Sequence, residues 1–309
     1  MSEPVRQRVQ IEGRQLEISN LDKVLFPEVG FTKAQVIDYY VRIAPVLLPH
    51  VADRPVTFTR WPSGVDGKAF FEKNSARHAP VWVRSVTVPS PGSSRGRETL
   101  DMVLLSAVPD LVWSANLAAL ELHVPQWRVD EDGGQLLPDL LVLDLDPGPG
   151  TGVVECAHVA HRLRERLVAD GLNPVVKTSG SKGMQVYAPI RCTDREHPSR
   201  YAKQLARELT GETPEQVVWR MEKALRPGKV LVDWSQNNTA KTTVAPYSLR
   251  ARPGATVSTP LGWDEVDALR DGADPESVRF GTEDVLARVA EFGDLFDVED
   301  RHRADLPEV

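Results

Sequence analysis

The sequence holds very little cysteine: Cys156 and Cys192 are the only two in 309 residues. That excludes a disulfide framework and leaves a thiolate zinc site short of ligands. A reducing compartment is the expectation. No run approaches the roughly 20 apolar residues of a membrane helix, and the opening MSEPVRQRVQ lacks the apolar centre of a secretory signal. A cytoplasmic location without a membrane partner follows as an expectation. Repeats and long low-complexity tracts are missing as well, which argues against a solenoid or domains strung on flexible linkers. A surplus of positive charge is also lacking, and phosphate backbones are usually met by a positive field.

That last absence is uneven along the chain. The net charge of −7 is concentrated in Trp263 to Val309, where 15 acidic residues face 5 arginines, a net −10. Residues 1–262 therefore carry a net +3. The stretch from Arg220 to Arg252 is locally basic, with Arg220, Lys223, Arg226, Lys229, Lys241, Arg250 and Arg252 against Glu222 and Asp233. Charge alone leaves a nucleic-acid surface and an ordinary solvated surface equally open.

What is present is a globular composition, 41% hydrophobic and 26% charged, cut by 24 prolines into short elements. Thr32 is placed to cap a helix running through Ala34, Val36, Ile37, Tyr40, Ile43 and Leu47, whose spacing turns one apolar stripe inward. VTFTRW and VWVRSVTV read as strands, the second followed by the polar loop SPGSSRGRE. The centre alternates: strand DLLVLDLD, a Pro/Gly turn, a helix from about Val153 to Asp170, strand PVVK, the turn SGSKG and strand MQVYAPI. Helices are expected over Arg200 to Thr210 and Pro214 to Leu225, then a strand KVLVDW, and finally acidic helices near Trp263 to Leu269 and Glu283 to Phe292. Strand, helix, then hairpin predicts an α+β chain with a mixed sheet, the acidic tail packed outside.

Side chains alternate along a strand, so Asp144 and Asp146 face one space while Leu143 and Leu145 face apolar packing. Carboxylates roughly 7 Å apart suit hard cations such as Mg²⁺ or Mn²⁺. Two such ions hold an attacking hydroxyl and a leaving phosphate oxygen together. Asp233, closing the apolar run VLV, is the candidate third ligand. Strand-end turn formation is the bland account of the same residues. A haloacid-dehalogenase-type phosphatase also ends a strand in Asp-x-Asp, but wants Thr or Val where Gly148 stands. A nucleotide-sugar transferase stays open, whereas the spacing of Gly148, Gly150 and Gly152 is wrong for a dinucleotide turn.

SGSKG joins two strands, so it is no Walker loop, yet its glycines, Ser179 and Lys182 suit an anion as well as an ordinary hairpin turn. Arg250 and Arg252 alternate on one face of an expected strand, an arrangement that fits a triphosphate or a surface pair. Cys156, His158 and His161 look like a metal cluster on paper, but Cys156 belongs to the helix's apolar stripe and His158 lies nearly opposite. His123, Phe70 and Phe71 are by themselves core residues more often than functional ones.

The segments ISNLDKVLFPEVGFTK, RPVTFTRWPSGV, KAFFEKN, LAALELHVPQW, LVLDLDPG, KTSGSKG, VLVDWSQN and YSLRAR occur in that order. Together they resemble the archaeo-eukaryotic primase superfamily, specifically the polymerase domain of bacterial ligase D and its stand-alone actinobacterial relatives. The resemblance implies α+β architecture: mixed, largely antiparallel sheets flanked by helices around a primase-polymerase core. It implies one domain over 1–309, with DNA elements in 1–130, the catalytic core in 131–255 and an acidic helical part in 256–309. Asp144, Asp146 and Asp233 match metal-binding carboxylates for two divalent ions, Mn²⁺ or Mg²⁺. Ser179, Lys182, Gln185, Gln236, Arg250, Arg252 and His123 match nucleotide-handling positions, and Phe70 and Phe71 a stacking platform. Asn20, Lys23 and Lys33 match a pocket for a DNA 5′-phosphate. Implied partners are NTP or dNTP, DNA with gaps, nicks or ends bearing that phosphate, a separate DNA ligase and end-binding repair proteins. Relatives carry histidine where Gln185 stands, so a positive charge is missing there. No ligase or nuclease block accompanies these segments, so the expectation is a free-standing enzyme or a fragment.

Overall fold

The computed structural model describes residues 6–75, 79–90, 98–298 and 303–308. Residues 91–97 of the expected polar loop lie outside the described residues. The chain begins with a hairpin of β1 (Arg6–Ile11) and β2 (Arg14–Ser19), then a short pair, β3 (Val24–Phe26) and β4 (Phe31–Thr32), that leads into α1 (Lys33–Val51). Thr32 caps α1 as its sequence predicts: its Oγ1 accepts from Gln35 N at 3.4 Å and Gln35 Oε1 accepts from Thr32 N at 2.8 Å. Val36, Ile37, Tyr40, Ile43 and Leu47 form the buried stripe.

Two sheets follow. β5 (Thr57–Arg60), β6 (Phe70–Glu72), β9 (Ala119–Val124) and β15 (Thr243–Val244) make a four-stranded antiparallel sheet in the order β15-β9-β5-β6, and between them in sequence come the hairpin β7 (Ser85–Pro89) and β8 (Thr99–Val103) and helix α2 (Val108–Asn116). The larger sheet has the order β13-β14-β10-β12-β11-β16, from β10 (Leu140–Pro147), β11 (Val175–Thr178), β12 (Met184–Arg191), β13 (Val217–Val218), β14 (Val230–Asp233) and β16 (Pro260–Leu261), with β17 (Ala304–Asp305) beside β12. Its pairings are antiparallel except β13–β14 and β12–β17, so it is mixed and largely antiparallel. Helices α3 (Val153–Ala169), α4 (His197–Glu212) and α5 (Trp263–Arg270) cover one face, and α6 (Thr282–Phe292) lies against α1. Among the described residues no helix is long and apolar enough to cross a membrane.

Alternation explains the layering. Leu141, Leu143 and Leu145 point into the core beneath α3, while Leu140 and Val142 point to the opposite face with Tyr187 and Phe296. α1 and α2 build a second core on the smaller sheet. The α+β class is as expected, and three local expectations fail. Residues 214–225 are not a helix: Val217 and Val218 pair in parallel with Val230 and Leu231, because the exposed edge of β14 rewards two buried β-branched residues more than helix propensity does. The strand expected from Val81 begins at Ser85, since Pro80 starts a turn closed by Val83 N to Pro80 O at 2.9 Å. Arg250 and Arg252 stand in a loop rather than a strand, where Arg252 N donates to Arg250 O at 2.8 Å ahead of Pro253 and Gly254.

The turn between β11 and β12 leaves no room for a side chain at Gly183, whose Cβ would lie 2.1 Å from the Leu145 carbonyl oxygen. Gly183→Ala is therefore expected to pry β12 from β10 at a cost of about 1–3 kcal/mol. Gly211, inside α4, has nothing within 4 Å of such a Cβ. There Gly211→Ala is expected to stabilise by about 0.5–1 kcal/mol. Urea unfolding of the two variants checks both signs; a Gly183→Ala protein as stable as the parent would contradict the close approach.

Candidate active site

At the level of Asp144 the large sheet carries a row of polar side chains: Asp233 on β14, Asp144 on β10, Gln185 on β12 and Lys177 on β11, each opposite the next in register. Gln185 Nε2 donates to Asp144 Oδ1 at 3.0 Å, and Gln185 Oε1 accepts from Lys177 Nζ at 2.5 Å and from the Tyr187 hydroxyl at 3.2 Å. Lys177, with 0% exposure, also donates to Ser258 Oγ at 2.7 Å. Burial and then nearby Arg250 hold its ammonium pKa well below the usual lysine range. Burial, then Asp146, push the Asp144 carboxyl up to about 7, and Asp146 is raised by burial and then Asp233. Carboxylates that resist ionising together gain from a divalent cation, and an all-oxygen donor set fits Mg²⁺ or Mn²⁺. Asp233, on the same face as Asp144, is also engaged by the turn that follows it: Oδ1 accepts from Ser235 N at 2.9 Å and Oδ2 from Gln236 Nε2 at 2.8 Å. Among the described residues, no three His, Cys, Asp or Glu side chains are gathered as ready ligands.

The smaller sheet supplies the facing wall. Glu121 and His123 are two residues apart on β9 and share a face, with Glu121 Oε2 2.9 Å from His123 Nε2. Glu121 Oε1 accepts from Arg250 Nε at 3.0 Å and from Ala251 N at 3.0 Å, while Arg250 Nη1 donates to the Ser179 carbonyl at 2.5 Å. One guanidinium thus ties β9 to the β11–β12 turn. Burial opposes ionisation of Glu121, but His123 and Arg250 outweigh it and bring the pKa to about 2. Within the turn, Ser179 Oγ accepts from Ser181 N at 3.3 Å and Gly183 N at 3.2 Å, which holds the loop closed and leaves the hydroxyl proton free to donate.

Between these walls lies a cleft of about 320 Å³ lined by His123, Asp144, Asp146, Ser179, Lys182, Gln185, Gln236, Arg250 and Arg252. The structure brings these expected residues together. Asp233 is not among the lining residues, although Gln236, which donates to its Oδ2, is. Phe70 and Phe71 are 45% and 54% exposed on the edge strand β6, and only Phe71 turns toward the cleft, its ring 6.4 Å from that of His123. Asn20 and Lys23 line a separate hollow with Gln7. Lys33 sits beneath rather than in it, buried and donating to the Ser19 carbonyl at 2.7 Å, with a pKa brought down to about 8 by burial and then Lys23. Cys156 is core, and His161 pairs with Asp267 at 2.8 Å.

Sequence reading missed Glu121, Lys177 and Asn237. Asn237 accepts from Val142 N at 2.9 Å and donates to Val142 O at 2.7 Å, extending the ladder beside β10 past the end of β14. Alternation gave a signal for Glu121, which shares a face with His123. Lys177 follows the apolar run PVV, and its partner Gln185 lies across the β11–β12 turn, a contact that periodicity does not show.

Two outcomes are expected. Gln185→Leu leaves the buried Lys177 short of an acceptor and should cost about 1–3 kcal/mol in urea unfolding. The Lys177→Met, Gln185→Leu double variant should recover part of that; strict additivity would remove the coupling. Because the folded pKa of Glu121 is depressed, its roughly 3 kcal/mol of stability is present above the unfolded value near 4.5 and is lost as pH falls from there toward 2. The stability gap between the parent and Glu121→Gln should accordingly narrow below pH 4.5, and a pH-independent gap would contradict this.

Residues 32–296 match the protein family described as "LigD, primase-polymerase domain". The chain is 43% identical over 281 residues to the multifunctional non-homologous end joining protein LigD of Mycolicibacterium smegmatis, covering 91% of this chain and 35% of that protein. It is 30% identical over 255 residues to the bifunctional LigD of Bacillus subtilis, covering 82% and 40%. The chain thus spans about two-fifths or less of the curated relatives it matches. Among solved structures it superposes on the polymerase domain of Mycobacterium tuberculosis ligase D in complex with DNA, with TM-score 0.83 and 42% identity, over 91% of this chain and 96% of that one. The chain belongs to the LigD primase-polymerase domain family, a family of nucleotidyltransferases.

Proposed function

We propose that the chain is a DNA-repair primase-polymerase that moves a nucleotidyl group from a nucleoside triphosphate to a primer 3′-hydroxyl at gaps, nicks or ends bearing a 5′-phosphate. Ribonucleotides are the preferred substrates in this reading. The observation that carries it is one cleft with Asp144 and Asp146 on its floor and Lys182, Arg250 and Arg252 at its rim.

The primer oxygen forms a bond to the α-phosphorus as the bond to the bridging oxygen breaks, and pyrophosphate leaves. Lys182 and Arg252 meet the negative charge of the triphosphate, and Ser179 donates its hydroxyl proton. Arg250 keeps Nη2 for a phosphate oxygen, since Nε and Nη1 serve Glu121 and Ser179. His123, oriented by Glu121, faces the nucleotide, and the exposed ring of Phe71 offers a base a stacking surface. Polymerase domains of this family are metal-dependent. Two divalent ions, Mn²⁺ in this reading, held by Asp144, Asp146 and Asp233, would neutralise charge on the attacking and leaving oxygens. Asp233 Oδ2 accepts one hydrogen bond, from Gln236, and would coordinate through its remaining lone pair. Asn20 and Lys23, with Lys33 beneath them, would receive the 5′-phosphate, which positions DNA without reading its sequence. The end-joining setting of the relatives makes a DNA ligase and end-binding proteins the natural partners.

The test offers gapped, 5′-phosphorylated DNA with Mn²⁺ and each NTP or dNTP. The parent should extend the primer, ribonucleotides faster, and Asp144→Ala should lose at least about 100-fold, the scale of removing one preorganised stabiliser of transition-state charge. DNA binding without extension would leave a non-catalytic end-binding module; extension surviving Asp144→Ala would refute the metal assignment. Lys23→Ala should lower the preference for 5′-phosphorylated gaps about tenfold, the scale of one charge-assisted hydrogen bond, while primer extension on unphosphorylated DNA changes little. Equal loss on both substrates would sink that role.

A further inference from the structure

On the face of the large sheet opposite the cleft, three cations surround one indole. Lys203 Nζ lies 5.8 Å from the Trp219 ring centre, the Arg207 guanidinium 5.5 Å and the Arg220 guanidinium 5.8 Å. Lys203 is also 4.8 Å from the ring of Trp234, whose Nε1 donates to the Trp219 carbonyl at 3.2 Å. Among the described residues none of the three forms an ion pair with a carboxylate, although Glu208 stands on the same helix, receiving Gln204 Nε2 at 3.1 Å. Arg200, one helical step earlier, is paired with Asp194 at 2.8 Å.

Like charges brought this close repel one another, and in a chain of net charge −7 such a cluster does not reflect a general excess of base. The indoles hold the cations in place without neutralising them. Their arrangement is linear as well as dense. Lys203 and Arg207 share one side of α4, and between them the helix rises about 6 Å, roughly two nucleotides along a DNA strand.

Position supplies the second argument. Trp234 opens the 3-10 turn Trp234–Asn237 that Asp233 caps, and Gln236 of that same turn lines the cleft. The basic patch and the cleft are therefore two sides of one short turn, packed against α4. Among the described residues no carboxylate of the acidic C-terminal segment pairs with the patch; Glu265, for one, pairs with Arg288 at 2.7 Å and Glu283 with Arg42 at 2.8 Å.

We propose that the face of α4 around Trp219 binds the phosphodiester backbone of the duplex whose end occupies the cleft. This rests on the polymerase reading above. Lys203, Arg207 and Arg220 neutralise successive phosphates and carry no sequence preference, so the surface adds affinity only to DNA long enough to reach it.

The test measures equilibrium binding by fluorescence anisotropy over a range of salt, using gapped DNA whose upstream arm is about one or about three helical turns. For the parent, the longer arm should bind more tightly and with a steeper salt slope. In Lys203→Gln, Arg207→Gln, Arg220→Gln both gains should vanish, the slope on the long arm falling by about 2 to 3. A triple variant of equal charge elsewhere, Arg164→Gln, Arg191→Gln, Arg279→Gln, should keep both gains. Should the first triple variant lose its circular dichroism signal, the exposed single variant Arg220→Gln replaces it, with an expected loss of slope of about 1. Unchanged gains in these variants, with primer extension by the parent intact, would overturn the surface and leave the polymerase reading standing. A parent that neither binds nor extends gapped DNA would overturn both.

Discussion

Arg250 is held at both ends, by Glu121 on the smaller sheet and by the Ser179 carbonyl in a turn of the larger one. The two sheets have separate hydrophobic cores, so apolar packing by itself does not set the distance between their facing walls. The bridge does much of that, and Glu121 is fully used in the process. One oxygen takes Arg250 and Ala251, which fixes the start of the 250–255 loop, and the other takes His123. A carboxylate serving three groups must stay ionised, which is why its pKa falls to about 2 despite burial. The same bridge constrains the β11–β12 turn: a Cβ on Gly180, at φ +65°, would lie 2.6 Å from Arg250 Cγ.

Gln185 solves a related problem on the floor of the cleft. It stands between a buried ammonium and a carboxylate, and a primary amide is the neutral group that presents an acceptor to the first and donors to the second. A protonated histidine at this position would place a second cation beside Lys177, where burial already disfavours the first. What Gln185 gives up is charge for the nucleotide. In the proposed function, positive charge toward a triphosphate falls to Lys182 and Arg252 at the rim and to the unspent edge of Arg250.

How much of this could be read from the sequence depends on whether the deciding contact was local. The cap at Thr32, the alternation of Asp144 and Asp146 and the stripe of α3 are short-range patterns, and the structure has them all. The row Asp233, Asp144, Gln185, Lys177 needs strand order and register, which periodicity does not supply, so Lys177 passed as one more strand residue. Val217 and Val218 illustrate the opposite failure: a segment with fair helix propensity became an edge strand because β14 offered it a partner. The clustering of rim residues came from resemblance to a family, since Arg250 and Arg252 reach the cleft from a loop that the strand reading did not anticipate.

The acidic tail shows why net charge was a poor guide to partners. Several of its carboxylates are engaged within the chain: Asp294 lies 2.7 Å from His50, Glu283 2.8 Å from Arg42, Asp305 2.6 Å from Arg191 and Asp267 2.8 Å from His161. Several of these pairs are exposed and contribute little stability each, but together they neutralise Arg42 on α1, Arg164 on α3 and Arg191 on β12. Lys182 and Arg252 are excluded from this pairing, as are the cations around Trp219. Among the described residues, a chain of net charge −7 thereby keeps cations without a carboxylate partner both at the cleft and around Trp219. Local field rather than net charge decides where a polyanion is attracted, and screening confines that field to about 8–10 Å. On that length scale carboxylates held in pairs elsewhere on the chain do not cancel the charge of Lys182 and Arg252 at the cleft.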